Sequence, residues 1–311
     1  MKIVVIGMLR HYHNQSRILK DALILMGHIV IPIDTSFLVS TCAEPNNYNY
    51  NEPIDVKLEP DIDMVFICQS DFTFRVLTDK PIVYYHSEFT WYPSCVNATY
   101  IISTFPEMKA RFRRFYPTFL KSVREFIWIQ HFVVPSDYKN VRENKKDGIF
   151  WMGTTCTDGH DEYVQRTIYD TRCRIVGELQ SKGLIESFMY DYSKNYNQIM
   201  SKYKGGLVID GTGAFFSPRS IEYLGAGVIP IIYIGTDRYA RKYYEMAGFK
   251  HNVNCWFFND WKEVEEFNTL DKENTDRLRS QGRVLLNEQY KYDKKLGNLF
   301  KIINLYNEMI G

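Results

Sequence analysis

Gly211-Thr-Gly-Ala-Phe-Phe-Ser-Pro-Arg-Ser-Ile-Glu-Tyr-Leu-Gly-Ala-Gly-Val-Ile-Pro-Ile-Ile-Tyr233 is the stretch whose reading decides the fold of this chain. It follows an apolar run, Gly206–Ile209, that reads as a buried strand ending at Asp210. Gly211 and Gly213 permit a tight turn and the close approach of a ligand to the backbone. Ser217 is a good helix N-cap and Pro218 suits the first helical position, so the spacing predicts a short helix over Pro218–Leu224. Gly225 and Gly227 end it, and Val228–Ile234 reads as the next strand. The free amides at such a helix start, with the positive end of its dipole, suit a diphosphate. Arg219 and Glu222 are three apart and share one helix face. Arg219 could grip phosphate in a bidentate manner and Glu222 could accept hydrogen bonds from ribose hydroxyls. The plainer reading, a strand–helix–strand unit with an Arg–Glu pair on its surface, stands beside this one.

Working outward, the same alternation extends along the chain. After the N-terminal strand Lys2–Ile6 come a helix over Ser16–Met26, ended by Gly27, and a strand over His28–Ile33. Met64–Cys68, Ile82–Tyr85 and Tyr100–Ser103 read as further buried strands, Pro106–Phe115 as a helix and Phe132–Val134 as a closing strand. The second half offers strands at Ile149–Met152, Cys173–Val176 and Gly206–Ile209, with helices over Glu162–Tyr169 and Tyr192–Tyr203. Helices around Tyr239–Ala247, Trp261–Phe267 and Asp271–Glu288 follow. Strands this apolar alternating with helices predict parallel sheets covered on both faces. The expected fold class is α/β, with two Rossmann-like domains facing across a cleft. Residues 1–135 form the first domain, the polar stretch 136–147 a linker and 148–290 the second domain. The tail 291–311, with Leu296, Leu299, Phe300, Ile303 and Leu305, forms an amphipathic helix expected to pack back on the first domain.

The string SPRSIEYLGAGVIPII resembles the donor-binding signature of glycosyltransferases of the GT-B fold, especially the spore-coat-maturation-like and exostosin-like families. It is similar, more weakly, to the retaining family-four-type enzymes. Their signature has two glutamates eight positions apart, and eight before Glu222 stands Ala214, so only the ribose-binding role transfers. The resemblance runs through the C-terminal half, from the strand IFWMG through CRIVG to the signature, and reaches the N-terminal half only in strand pattern. It implies that Gly153 and Thr154 face the donor phosphates, that Arg166 is a candidate phosphate partner and that Glu222 binds ribose. It also implies a histidine at the end of an N-terminal strand near the donor sugar. His86 stands there, and Glu88 could serve as base, although a core-edge histidine is an equally good account. The acceptor would lie on the N-terminal domain and could be a glycan or a modified DNA base.

The implied activity is transfer of a sugar from a nucleotide diphosphate-sugar, UDP among the candidate carriers, to an acceptor hydroxyl. No metal and no other cofactor is expected, since helix-end amides and arginines would meet the charge on the departing diphosphate. The competing readings are a sugar-nucleotide epimerase of the same fold and a binding module for nucleotide-sugars or nucleic acid that has lost catalysis.

Other features narrow the field. The 311 residues carry 38 basic and 37 acidic side chains, a net charge of +1 that gives no global attraction to nucleic acid or membrane. Six scattered cysteines, without a CxxC pair, read as reduced thiols. The N-terminus reads as a strand rather than a signal peptide, and no long apolar run is present, so a cytoplasmic location is expected. Arg10-His11-Tyr12-His13 follows the first strand, where His11 and His13 could contact the acceptor; the pair lacks a third metal ligand nearby. Asp61-Ile62-Asp63 mimics a metal motif but precedes its strand, the wrong end for chemistry in a parallel sheet. Lys109–Arg124 interleaves six basic residues, Arg111 and Arg114 among them, with aromatic ones and could hold an anionic acceptor; a solvated helix face is the plainer reading. The loop Gly7-Met-Leu-Arg is not GxGxxG, which argues against a nicotinamide or flavin enzyme.

Overall fold

The computed structural model describes residues 1–9, 15–36, 53–68, 72–86, 94–104, 108–134, 146–153, 170–188, 199–209, 217–235 and 240–308. The chain forms two compact units, Met1–His131 with Lys295–Gly311, and Phe132–Lys294.

The first unit runs β1 (Lys2–Gly7), α1 (Gln15–Leu25), β2 (Ile29–Asp34), β3 (Ile54–Lys57), β4 (Met64–Cys68), β5 (Phe74–Leu77), β6 (Ile82–His86), β7 (Tyr100–Ser103), α2 (Met108–Phe115) and β8 (Glu125–Trp128). Its main sheet has the order β2-β1-β4-β6-β7-β8 and every pairing is parallel. Strands β4, β6 and β7 are buried throughout, as both-faces coverage demands. β3 and β5 pair separately as a parallel ribbon. Neither was legible in the sequence, nor was the edge strand β8, because short half-exposed strands carry little apolar signal. Phe132–Val134 is not a strand of the sheet. Val133 makes an isolated bridge to Lys291 and its amide donates to the Tyr290 carbonyl at 3.1 Å. In α1, Ile18, Leu19, Ala22 and Leu23 are buried, whereas Ile24 and Leu25 are exposed.

The second unit runs β9 (Lys146–Met152), α3 (Asp170–Ser181), β10 (Ile185–Phe188), β11 (Tyr203–Val208), α4 (Pro218–Gly225), β12 (Ile229–Tyr233), α5 (Ala240–Met246), β13 (Trp256–Phe258), α6 (Trp261–Asn268) and α7 (Lys272–Leu285). Its sheet order is β10-β9-β11-β12-β13, again all parallel. Side chains alternate between two cores. Phe150, Met152, Val208 and Ile232 meet Ile221, Tyr223 and Leu224 of α4 on one face. Ile149, Trp151, Leu207 and Ile231 meet Ile175, Val176 and Leu179 of α3 on the other.

Three sequence expectations are corrected here. Cys173–Val176 is helical, the middle of α3, and the strand of that region is β10. Tyr203 begins β11 rather than ending a helix. Lys146 and Asp147, placed with the linker, begin β9. The expected helix Glu162–Tyr169 lies outside the described residues.

Close packing of α4 on β11 depends on Gly206. A Cβ there would lie 2.6 Å from the Tyr223 ring, which is fully buried and whose hydroxyl donates to the Leu207 carbonyl at 3.2 Å. Gly206→Val is therefore expected to cost about 1–3 kcal/mol through overpacking, read as a lower urea midpoint.

The C-terminal helix α8 (Tyr292–Glu308) buries Leu296, Leu299, Phe300 and Ile303, one stripe at helical spacing. Phe300 meets Phe66 of β4 edge-on at 6.3 Å and His28 at 5.4 Å, so this helix completes the core of the first unit. Leu305 is exposed, off the stripe.

Candidate functional site

In an open parallel sheet, ligands bind outside the carboxyl ends of the strands, at the point where strand order reverses. In the second unit that point lies between β9 and β11: the chain steps from β9 outward to β10, then returns to the other side through β11 to β12. The crossover helices α3 and α4 cover opposite faces, so their N-terminal ends converge on the crevice between the ends of β9 and β11.

Gly153 sits directly after β9, buried; its amide donates to the Phe188 carbonyl of β10 at 3.4 Å, and a Cβ there would meet the Trp151 ring at 2.7 Å. On the β11 side α4 begins as the sequence predicts. Ser217 is its N-cap in an extended conformation, accepting from the Arg219 amide at 3.4 Å, with Pro218 in the first turn. The Ser217 amide donates to the buried Tyr244 hydroxyl of α5 at 3.3 Å, which fixes where the helix starts. Ser220, Ile221, Tyr223 and Leu224 are buried, leaving Arg219 and Glu222 half-buried on the opposite stripe. The free amides that the sequence suggests at this helix start are instead taken up within the fold: the Ser217 amide by Tyr244, the Arg219 amide by the Ser217 hydroxyl and the Ser220 amide by the Ser217 carbonyl at 3.2 Å, while Pro218 has none.

One residue at this crevice was not singled out in the sequence. Arg172, in the first turn of α3, donates from Nε to the Ile209 carbonyl at 3.4 Å, placing its guanidinium at the carboxyl end of β11. No motif marks it, because only the position of α3 beside β11 brings it there. A strand at Cys173–Val176, as the sequence suggests, would have hidden it.

In the first unit, His86 is the last residue of β6, one strand from the reversal between β1 and β4. Its imidazole is 1% exposed and meets Phe112 of α2 at 5.8 Å and Tyr84 at 5.7 Å, both edge-on. Asp61 pairs with the Lys2 ammonium and Asp63 accepts from the Lys2 amide at 2.7 Å, so the Asp-Ile-Asp run serves the start of the sheet. Asp34, at the end of β2, accepts from the Leu9 and Ser36 amides at 3.1 and 3.0 Å. Arg114 is exposed on α2, and Arg111 lies in the same helix. His11, His13, Glu88, Thr154, Arg166, Gly211 and Gly213 lie outside the described residues.

No protein-family model and no curated protein sequence matches the chain. Comparison with solved structures shows what its fold is similar to. The Anabaena protein HepE in complex with UDP aligns over 98% of this chain and 100% of its own, with 11% identity and a TM-score of 0.51. An α-glucosyltransferase in complex with UDP and a 13-mer DNA containing an HMU base aligns over 98% and 99%, with 13% identity and a TM-score of 0.53. A glycosyltransferase from Rickettsia africae aligns over 99% and 98%, with 11% identity and a TM-score of 0.56. At these identities the likeness establishes the fold: two Rossmann-like units of the GT-B glycosyltransferase type, the α/β class that the sequence predicts.

Proposed function

We propose that the chain is a glycosyltransferase that moves a sugar from a nucleotide diphosphate-sugar to an acceptor hydroxyl. The observation that supports this is the strand-order reversal of the second unit, with the Arg172 guanidinium at the carboxyl end of β11 and the capped start of α4 following that strand. The positive end of the α4 dipole and the guanidinium groups suit the two phosphates, and Glu222 is the group we assign to ribose. Neighbours of the same fold solved with UDP support a uridine carrier. Thr154, Arg166, Gly211 and Gly213 are assigned to the same donor site.

Negative charge grows on the departing diphosphate as the bond to the sugar breaks. Fixed amide dipoles and Arg172 and Arg219 would stabilise it without reorganising, so the proposed transfer needs no metal ion. The acceptor is assigned to the first unit, with His86 and Glu88 handling the acceptor proton and His11, His13, Arg111 and Arg114 holding the acceptor. A cytoplasmic location is part of the proposal. No described helix is long and apolar enough to cross a membrane. Among the described residues Cys68, Cys95, Cys173 and Cys255 are free thiols, and burial pushes the first two up to about 12.

Titration calorimetry with UDP tests the donor site. Glu222→Ala is expected to weaken binding about 10- to 100-fold, as loss of hydrogen bonds to a charged group implies. If Glu222→Ala and Arg219→Ala both left affinity unchanged, the site assignment would be wrong. UDP release only when acceptor is present supports transfer; interconversion of the donor sugar would instead support an epimerase.

A further inference from the structure

The charge of this chain is unevenly placed. Six of its 38 basic residues and none of its 37 acidic ones fall between Met108 and Arg124, so the remainder of a chain of net charge +1 carries a net −5. This segment is α2 followed by a 3-10 turn at Pro117–Leu120 and the lead into β8. Met108 and Phe112 are buried, one turn apart, and set the inner face of α2. Lys109, Arg113 and Arg114 are exposed on the helix, and Lys121 and Arg124 are exposed just beyond the turn. Lys109 has an acid in reach, Glu125 at 3.6 Å. Elsewhere arginines are matched by acids one turn away on their own helix, as with Arg17–Asp21, Arg241–Glu245 and Arg279–Asp276. Between Met108 and Arg124 the sequence has no acid; Glu107 and Glu125 flank the run.

Aromatic residues interleave with these cations along the chain and continue into β8. Tyr116 and Phe119 are half-exposed and meet edge-on at 6.0 Å, and Trp128, 39% exposed, ends the edge strand β8. A row of cations beside half-exposed rings matches a ligand with regularly spaced phosphates and planar bases. The inner face of α2 also carries Phe112, which packs on His86, so a strand on the outer face would lie about one helix diameter, roughly 10 Å, from that imidazole.

We propose that α2, the turn after it and the start of β8 form a docking surface for the phosphodiester backbone of a nucleic acid. That the bound nucleic acid is also the acceptor rests on the transfer reading above; the binding itself does not.

The test uses the full chain, a fluorescent single-stranded DNA oligonucleotide of mixed sequence and a series of salt concentrations, with no donor present. Wild type is expected to bind with an affinity that falls steeply with salt. Arg113→Ala/Lys121→Ala/Arg124→Ala is expected to flatten the slope of log affinity against log salt by roughly 2, about 0.7 for each lost phosphate contact. Phe119→Ala is expected to weaken binding about five- to a hundredfold with the slope unchanged. A thermal melting midpoint close to wild type, measured without ligand, shows that each variant is folded. Equal binding by wild type and the triple variant overturns the proposal, as does binding of heparin or anionic vesicles with no binding of the oligonucleotide. DNA binding without sugar transfer upholds this surface and overturns only the transfer reading.

Discussion

Replacing Arg172 by alanine is expected to lower the kcat for sugar transfer by about 10²–10³-fold, with a smaller change in KM. The reasoning starts from position. Arg172 is in the first turn of α3 and reaches the Ile209 carbonyl at the carboxyl end of β11, so its charge stands where the sheet reverses its strand order. Charge on a diphosphate leaving group is greater in the transition state than in the bound donor, so a fixed cation there acts mainly on the chemical step. Arg172→Lys is expected to recover only part of the rate, because an ammonium cannot offer the planar fork that two phosphate oxygens accept. Steady-state kinetics on the three proteins checks this, and an effect confined to KM would move Arg172 from charge stabilisation to ground-state binding.

The second large effect concerns stability in acid. His131 is buried, and burial lowers its pKa from the usual histidine value to about 3. The unfolded chain takes up this proton near pH 6.5, whereas the folded chain holds the ring neutral until about pH 3. The unfolded state therefore binds more protons between those values, and stability must fall as pH drops through that window. At pH 5 the loss from this one residue is about 2 kcal/mol relative to pH 8. His28 and His251, both lowered chiefly by burial, act in the same direction. Urea unfolding of wild type and His131→Gln between pH 8 and pH 5 reads the difference. The variant is expected to lose about one proton's worth of pH dependence. Parallel curves for the two proteins would show that His131 is not the responsible group.

The start of α4 was legible in the sequence because its signals are local. Ser217 and Pro218 act through bonds within one turn, and the structure shows the cap that they encode. The strand β6 was legible because five consecutive buried residues announce themselves. By contrast, Cys173-Arg-Ile-Val is too short to show a period. Four residues with two β-branched ones fit a strand as well as a helix, and α3 became visible only through Leu179, which joins Ile175 and Val176 in one core. The ribbon of β3 and β5 and the edge strand β8 are short and half-exposed, and their pairing partners lie far along the chain.

Sequence by itself determined the class of the fold, since alternating apolar strands and amphipathic helices can bury their surfaces only as covered parallel sheets. It also marked the capped helix with Arg219 and Glu222, and the run of cations between Lys109 and Arg124. Strand order, and with it the crevice between β9 and β11, was decided only in the tertiary structure. Periodicity records which face of an element is buried, not which neighbour it is buried against. The same reason hid Arg172, whose place at the carboxyl end of β11 follows from how α3 lies across the sheet.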